Sequence, residues 1–351
     1  MNVGDEMILR AAVLLAREAG YGGRINVVGS RVPPAEVLRQ DYDALDLGFV
    51  SWTRVGRAIA AVAGRDLFIG GGQLIDGAAG VQNPLLKAGL ALVARAMGGR
   101  VMIGGVSSAN LRSAAVRACY DKLFRLAHRI VTRDEASLAD IIAITPSAAS
   151  KSESLADLVF SLRDELGGAA PAAERPVIAL AVHHTPRMTL TDREQALLLL
   201  RRVHLLADPA HEIVVAAHDV RSDFDLGFAQ GLATDLNIPR VTVRTLRTTA
   251  ECISFYRQVR TIISVRMHPI ILGACADAFC VPLEGSRKVA DIARRLGVGQ
   301  WRMEDLASLP DAEFRAALGL DRSGPLVDAS KRERMSDQAR GIFANLRADS
   351  R

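Results

Sequence analysis

Aromatic residues are scarce: Phe, Trp and Tyr together make up 5% of the 351 residues. That is too few to line a groove on which bases stack, so no nucleic-acid partner is expected. The four cysteines, Cys119, Cys252, Cys275 and Cys280, form no CxxC pair and no zinc spacing with histidine. Three of them lie inside apolar helix or strand patterns, and all four read as reduced core thiols, which excludes a disulfide framework and a thiolate metal centre. Runs of like charge, internal repeats and low-complexity tracts are absent too. The most apolar region, 85–106, is interrupted by Lys87, Arg95 and Arg100, so no transmembrane helix is expected. The chain does not open on a charged-then-apolar leader, which makes a cytoplasmic protein the expectation.

What is present is the composition of a folded enzyme, 49% hydrophobic and 24% charged, in a chain long enough for two cores. Its net charge of +5 suits anionic small molecules or an anionic membrane surface. Short apolar strands at 25–28, 66–69, 101–106, 129–132 and 156–160 alternate with helices at 55–63, 85–97 and 111–128. Such a succession predicts a parallel sheet with helices on both faces. Residues 167–176, GGAAPAAERP, have a linker's composition. A second α/β series follows, with strands at 177–182, 212–217, 241–243 and 279–283. The expected domains are therefore 1–166, 176–325 and a closing helix within 326–351. That helix bears Met335, Ala339, Ile342, Phe343 and Leu346 on one side and basic residues on the other, a pattern that suits packing on the first domain or lying on a membrane surface.

The most informative stretch is TIISVRMHPIILGA, 261–274. Ile262, Ile263 and Val265 read as a buried parallel strand, and Ile270, Ile271 and Ala274 as the inner face of the helix after it. Arg266 and His268 then sit at a strand's carboxyl end and a helix N-terminus, where open α/β sheets bind anions. The guanidinium offers a planar fork for carboxylate or phosphate, and the imidazole a proton carrier. Taken alone, the same two residues also fit a surface ion pair and a structural helix start.

Other junctions repeat the theme. NVGDE at the start places Asn2 and Gly4 in a turn before an apolar helix, with the acids Asp5 and Glu6 in its first turn, where they suit the dipole. Gly70, Gly71 and Gly72 follow a strand with Asp76 close behind, which suits either a tight turn or a close ligand approach. TRDEAS puts Arg133 at another strand-to-helix junction, with Asp134 able to cap the helix. His183, His184 and His218 fall at strand ends, but adjacent residues point apart on an extended chain, so they read as pocket lining and no metal site is expected.

SVRMHP, TRDEAS and NVGDE in this order resemble the polysaccharide pyruvyl transferase family over about residues 2–297. The resemblance implies two Rossmann-like α/β domains facing across a cleft, a GT-B-like architecture. It also implies transfer of pyruvate from phosphoenolpyruvate to a sugar or lipid-linked oligosaccharide acceptor of an exopolysaccharide or cell-surface precursor, giving a ketal and phosphate. The catalytic set it implies is Arg133, Arg266 and His268, with Asn2, Gly4, Asp5, Gly70, Gly71, Gly72, Asp76, Ser264 and Lys288 binding substrate and the first domain on the acceptor side. No cofactor or metal is implied beyond the phosphoenolpyruvate donor, and peripheral contact with the inner membrane surface is compatible. Two departures stand out: the strand that normally precedes NVGDE is expected to be missing, and Glu284 occupies the place of an aromatic residue. Two other readings stay open, a sugar-nucleotide glycosyltransferase of the same fold and an inactive scaffold of a polysaccharide assembly complex.

Overall fold

The computed structural model of the chain describes residues 3–22, 25–29, 42–46, 52–78, 80–167, 174–182, 190–219, 225–322 and 327–344. They pack as two units, Met1–Met7 with Leu162–Arg334 and Ile8–Ser161 with Met335–Arg351. The first seven residues thus group with the later half of the chain and the end of the closing helix with the earlier half, a division that chain order alone does not suggest.

The earlier unit runs from α1 (Val3–Glu18) through β1 (Ile25–Gly29), β2 (Tyr42–Asp46), α2 (Trp52–Val62), β3 (Leu67–Asp76), α3 (Gln82–Ala96), β4 (Val101–Ala109), α4 (Ala114–Leu126), β5 (Arg129–Thr132), α5 (Glu135–Ile144) and β6 (Ser152–Ser154). Strands β3, β4, β5 and β6 form one parallel sheet in that order, and β1 pairs with β2 as a separate parallel ribbon. Alternation of buried strand residues with helices makes the core, where Ile103, Val106 and Ile130 meet Val116, Tyr120, Leu123 and Phe124 of α4. Two expected elements differ. The strand expected at 66–69 continues to Asp76, with a shift of register between Gly72 and Ile75, so the three glycines lie inside it. The strand expected at 156–160 is instead a 3-10 turn, Leu158–Leu162, whose apolar residues fill the core without pairing. Short β6, which the apolar pattern does not mark, ends the sheet.

The later unit comprises α6 (Arg163–Leu166), β7 (Val177–Ala181), α7 (Leu190–Leu206), β8 (Glu212–Ala217), α8 (Asp225–Leu236), β9 (Val241–Thr245), α9 (Thr249–Tyr256), β10 (Val259–Ser264), α10 (Met267–Cys275), β11 (Phe279–Pro282), α11 (Arg287–Leu296), α12 (Met303–Ser308) and α13 (Asp311–Ala317), and α14 (Ala329–Ala344) follows. Its five strands are parallel in the order β11-β10-β7-β8-β9. The chain winds outward from β7 through β8 and β9, then returns to lay β10 against the other side of β7. That reversal makes a topological switch point between β7 and β10, and the crevice beyond the strands' carboxyl ends there is the usual ligand site of such sheets. β10 is buried throughout, as a strand covered on both faces must be.

α14 settles between the two readings of the closing helix. Met335, Ala339, Ile342 and Phe343 are all buried, the Phe343 ring lies 4.8 Å from that of Phe68, and the Arg129 guanidinium donates to the carbonyls of Gly341 (3.0 Å) and Ile342 (2.9 Å). The apolar face is spent on protein, so α14 has none to offer a membrane. Leu346 lies outside the described residues.

Candidate functional site

In the later unit, Arg266 and His268 follow β10 directly at the switch point. Ser264 ends the strand, wholly buried, its hydroxyl donating to Ala181 O of β7 at 2.8 Å and accepting the Arg266 N–H at 2.8 Å. Ser264 thus pins the turn that presents Arg266. That residue is the N-cap of α10, and no side chain caps the helix, which leaves its first-turn amides and dipole directed at the site.

Arg266 is held from the side. Its Nη2 lies 3.0 Å from Asp225 Oδ1, with only 13% of the arginine side chain and 1% of the aspartate's exposed. Asp225 begins α8, and its Oδ2 accepts the Asp219 N–H at 3.0 Å, so one carboxylate ties the residues after β10 to those after β8 across the end of β7. Burial lowers the Arg266 pKa, opposed by Asp225, Asp219, Asp5 and Tyr256. Beneath the pair, His218 Nε2 is 2.7 Å from the Tyr256 hydroxyl, both residues being buried. Burial, reinforced by Arg266 and His268, depresses the His218 pKa to about 3. His218 thus stays neutral, a core residue and not the pocket lining that its strand-end position suggests.

The start of α1 belongs to the same unit. Val3 N–H donates to His218 O at 2.9 Å, which seats the helix on the end of β8. Gly4 is consequently inside the first turn and buried, not in a loop ahead of it. Asp5 is exposed and near enough to Arg266 to act on its charge. Glu6 is 3% exposed, its Oε1 has no hydrogen-bond partner among the described residues, and burial raises its pKa to about 7. Lys288 is half-buried near the start of α11. Asn2, His183 and His184 lie outside the described residues.

The earlier unit holds the remaining expected residues, and most are occupied. Arg133, 6% exposed, donates from Nη1 to Asp157 Oδ2 and from Nη2 to Ser107 Oγ, each at 2.9 Å. A guanidinium so enclosed braces the strand ends of its own sheet; it is not the open clamp expected of it. Asp134 does cap α5, accepting the Ser137 N–H at 2.8 Å. Gly71 has φ of +82°, and a Cβ there would lie 2.0 Å from Ile8 Cγ2. The close approach is thus that of α1. Gly70 and Gly72 flank it inside β3, where ligand access gives way to packing. Asp76 ends the strand, Oδ1 accepting from Ala78 N and Asn110 Nδ2 at 2.9 Å.

The family model described as polysaccharide pyruvyl transferase matches residues 2–284. The chain belongs to this family. The match runs from the α1 start past Arg133, Arg266 and His268. No curated protein matches the sequence significantly. Among solved structures, Anabaena HepE, crystallised with UDP and glucose, is 12% identical with a TM-score of 0.53, over 97% of this chain and 91% of that one. The UDP-GlcNAc 2-epimerase of Neisseria meningitidis, bound to UDP-GlcNAc, is 11% identical with a TM-score of 0.57, over 98% and 94%. A third, accessory secretory protein 1,2 and 3 of Streptococcus pneumoniae, has a TM-score of 0.43 at 12% identity; 79% of this chain spans about half, 49%, of that one. The first two likenesses are of fold, and this pyruvyl transferase family member has the GT-B-like α/β class with parallel sheets expected from its sequence.

Within the site, sequence reasoning missed Asp225, Asp219, Tyr256 and Glu6. The first opens a helix 41 positions before Arg266, and a helix-opening acid has an ordinary local explanation. Glu6 was visible as half of an acidic pair, but not its burial.

Proposed function

We propose that the protein transfers the pyruvyl unit of phosphoenolpyruvate to two hydroxyls of one sugar in a polysaccharide precursor, with the donor held at the carboxyl end of β10. The observation that supports this most is the pairing of Arg266, steered by Asp225, with His268 at the uncapped start of α10. The donor carries a carboxylate and a phosphate, and a guanidinium beside helix amides matches either group. In the first step, a proton adds to the donor's methylene carbon while a sugar hydroxyl attacks its central carbon and loses its own proton. The methylene becomes a methyl group. Phosphate then departs with the electron pair of its C–O bond, and the second hydroxyl closes the ketal as its proton passes to phosphate. Donor and two hydroxyls account for every atom of ketal and phosphate, so the reaction calls for no cofactor. His268 is assigned the proton transfers, and Arg266 the stabilisation of negative charge as it shifts onto phosphate. Arg133 is reassigned to bracing.

If His268 moves the proton, His268→Ala lowers turnover by about 10²-fold or more while phosphoenolpyruvate affinity stays nearly intact. Phosphate release and ketal formation, followed on protein whose melting temperature matches the parent's, test it. A fully active His268→Ala protein would assign the proton elsewhere.

A further inference from the structure

The large apolar side chains left exposed are unevenly spread among the described residues. Ile59 (40%), Val81 (39%), Leu85 (60%), Leu92 (57%) and Met97 (60%) belong to α2, α3 and the two ends of α3; only Leu198 and Leu205 of α7 lie elsewhere. Leu85 and Leu92 are two turns apart and share one face of α3, with Val81 a turn earlier. The opposite face is already spent, because Pro84, Ala88, Leu90, Ala91 and Ala94 are buried in the core of their unit. α2, bearing Ile59, packs beside α3. A surface helix ordinarily turns polar residues outward; α3 turns leucines.

Charge around this face is mostly positive, and Asp66, which follows Arg65, is paired with Arg100 at 2.7 Å. Between Asp76 and Asp121 the chain has no carboxylate, yet it has Lys87, Arg95, Arg100, Arg112 and Arg117. From Leu47 to Arg65 there is again none, against Arg54, Arg57 and Arg65. Arg57, Arg65 and Arg95 are exposed.

We propose that the α2–α3 face docks on an anionic phospholipid surface, its leucines entering the boundary between headgroups and acyl chains and its arginines meeting lipid phosphates. Exposed apolar side chains beside exposed arginines are the pattern of interfacial helices. No described helix is long and apolar enough to cross a membrane, so the attachment is peripheral. A second copy of the chain fits less well, since a symmetric contact would set two mainly cationic surfaces against each other. Nucleic acid would meet the arginines but give the leucines nothing to bury against. The proposal stands apart from the reaction assigned above and from α14, whose apolar face is internal.

The test is co-sedimentation of the full-length protein with vesicles of phosphatidylcholine alone and of phosphatidylcholine with about a third phosphatidylglycerol. Binding is expected to the anionic vesicles only and to weaken with salt. Leu85→Ser with Leu92→Ser, and separately Arg57→Glu with Arg65→Glu, should each lower the bound fraction's partition coefficient by about tenfold or more without shifting the melting temperature, because all four side chains are exposed. No binding by the folded parent protein would overturn the proposal, as would equal binding by the leucine variant. A dimer in sedimentation velocity that the leucine variant dissolves would overturn it too, giving the face to a second copy.

Discussion

Asp225 determines where the Arg266 guanidinium points, because an ion pair with 1% and 13% side-chain exposure lacks the freedom of a surface pair. The planar fork meets Asp225 through Nη2. Arg266→Lys keeps the charge and loses that fork, so phosphoenolpyruvate affinity and turnover should fall together, with kcat/KM down about tenfold or more, the worth of one charge-assisted hydrogen bond. Steady-state kinetics and titration on the same preparation check it; affinity unchanged while turnover falls would remove Arg266 from donor binding. Glu6 has a different signature. Burial raises its pKa from 4.5 to about 7, so the folded protein keeps a proton that the unfolded chain gives up. Its contribution to stability is complete below the unfolded value and is lost as pH rises toward about 7. Glu6→Gln, neutral at every pH, should become progressively more stable relative to the parent across that window. Parallel curves of melting temperature against pH would show that Glu6 does not titrate there.

The elements divide into those with a local signal and those without. The run into Arg266 and His268 was readable because β-branched residues switch to helical spacing within TIISVRMHPIILGA, and the strand and helix form where that switch falls. Alternation alone likewise indicated parallel sheets. Three glycines read as a loop because local propensity disfavours strand there; pairing with β4 and the fit of Ile8 against Gly71 override it. Residues 156–160 have a strand's composition, but Ser152–Ser154 take the place beside β5, and the apolar side chains that follow are buried in a 3-10 turn instead. Burial of Arg133 depends on Asp157, 24 positions away, and that meeting of strand ends is tertiary. The closing helix offers a direct check at this scale. Ile342 is wholly buried, so Ile342→Ala should cost about 2–5 kcal/mol, measured by denaturant unfolding. A loss near zero would mean that α14 does not pack where the structure has it.

At the scale of the whole molecule, the chain is a GT-B-like α/β member of the polysaccharide pyruvyl transferase family with two surfaces of distinct chemistry. One is the switch point of the later unit, where Arg266, Asp225 and His268 converge. The other is the cationic, apolar α2–α3 face. The fold is shared with proteins crystallised with UDP and glucose or with UDP-GlcNAc, and fold does not decide between donors; the side chains at the end of β10 do. Calorimetric titration of the intact protein with phosphoenolpyruvate, and in parallel with UDP-GlcNAc and a GDP-sugar, needs no knowledge of the acceptor. Saturable binding of phosphoenolpyruvate, and none of either nucleotide sugar, is the expected result. Saturable binding of a nucleotide sugar, with no heat from phosphoenolpyruvate, would contradict it.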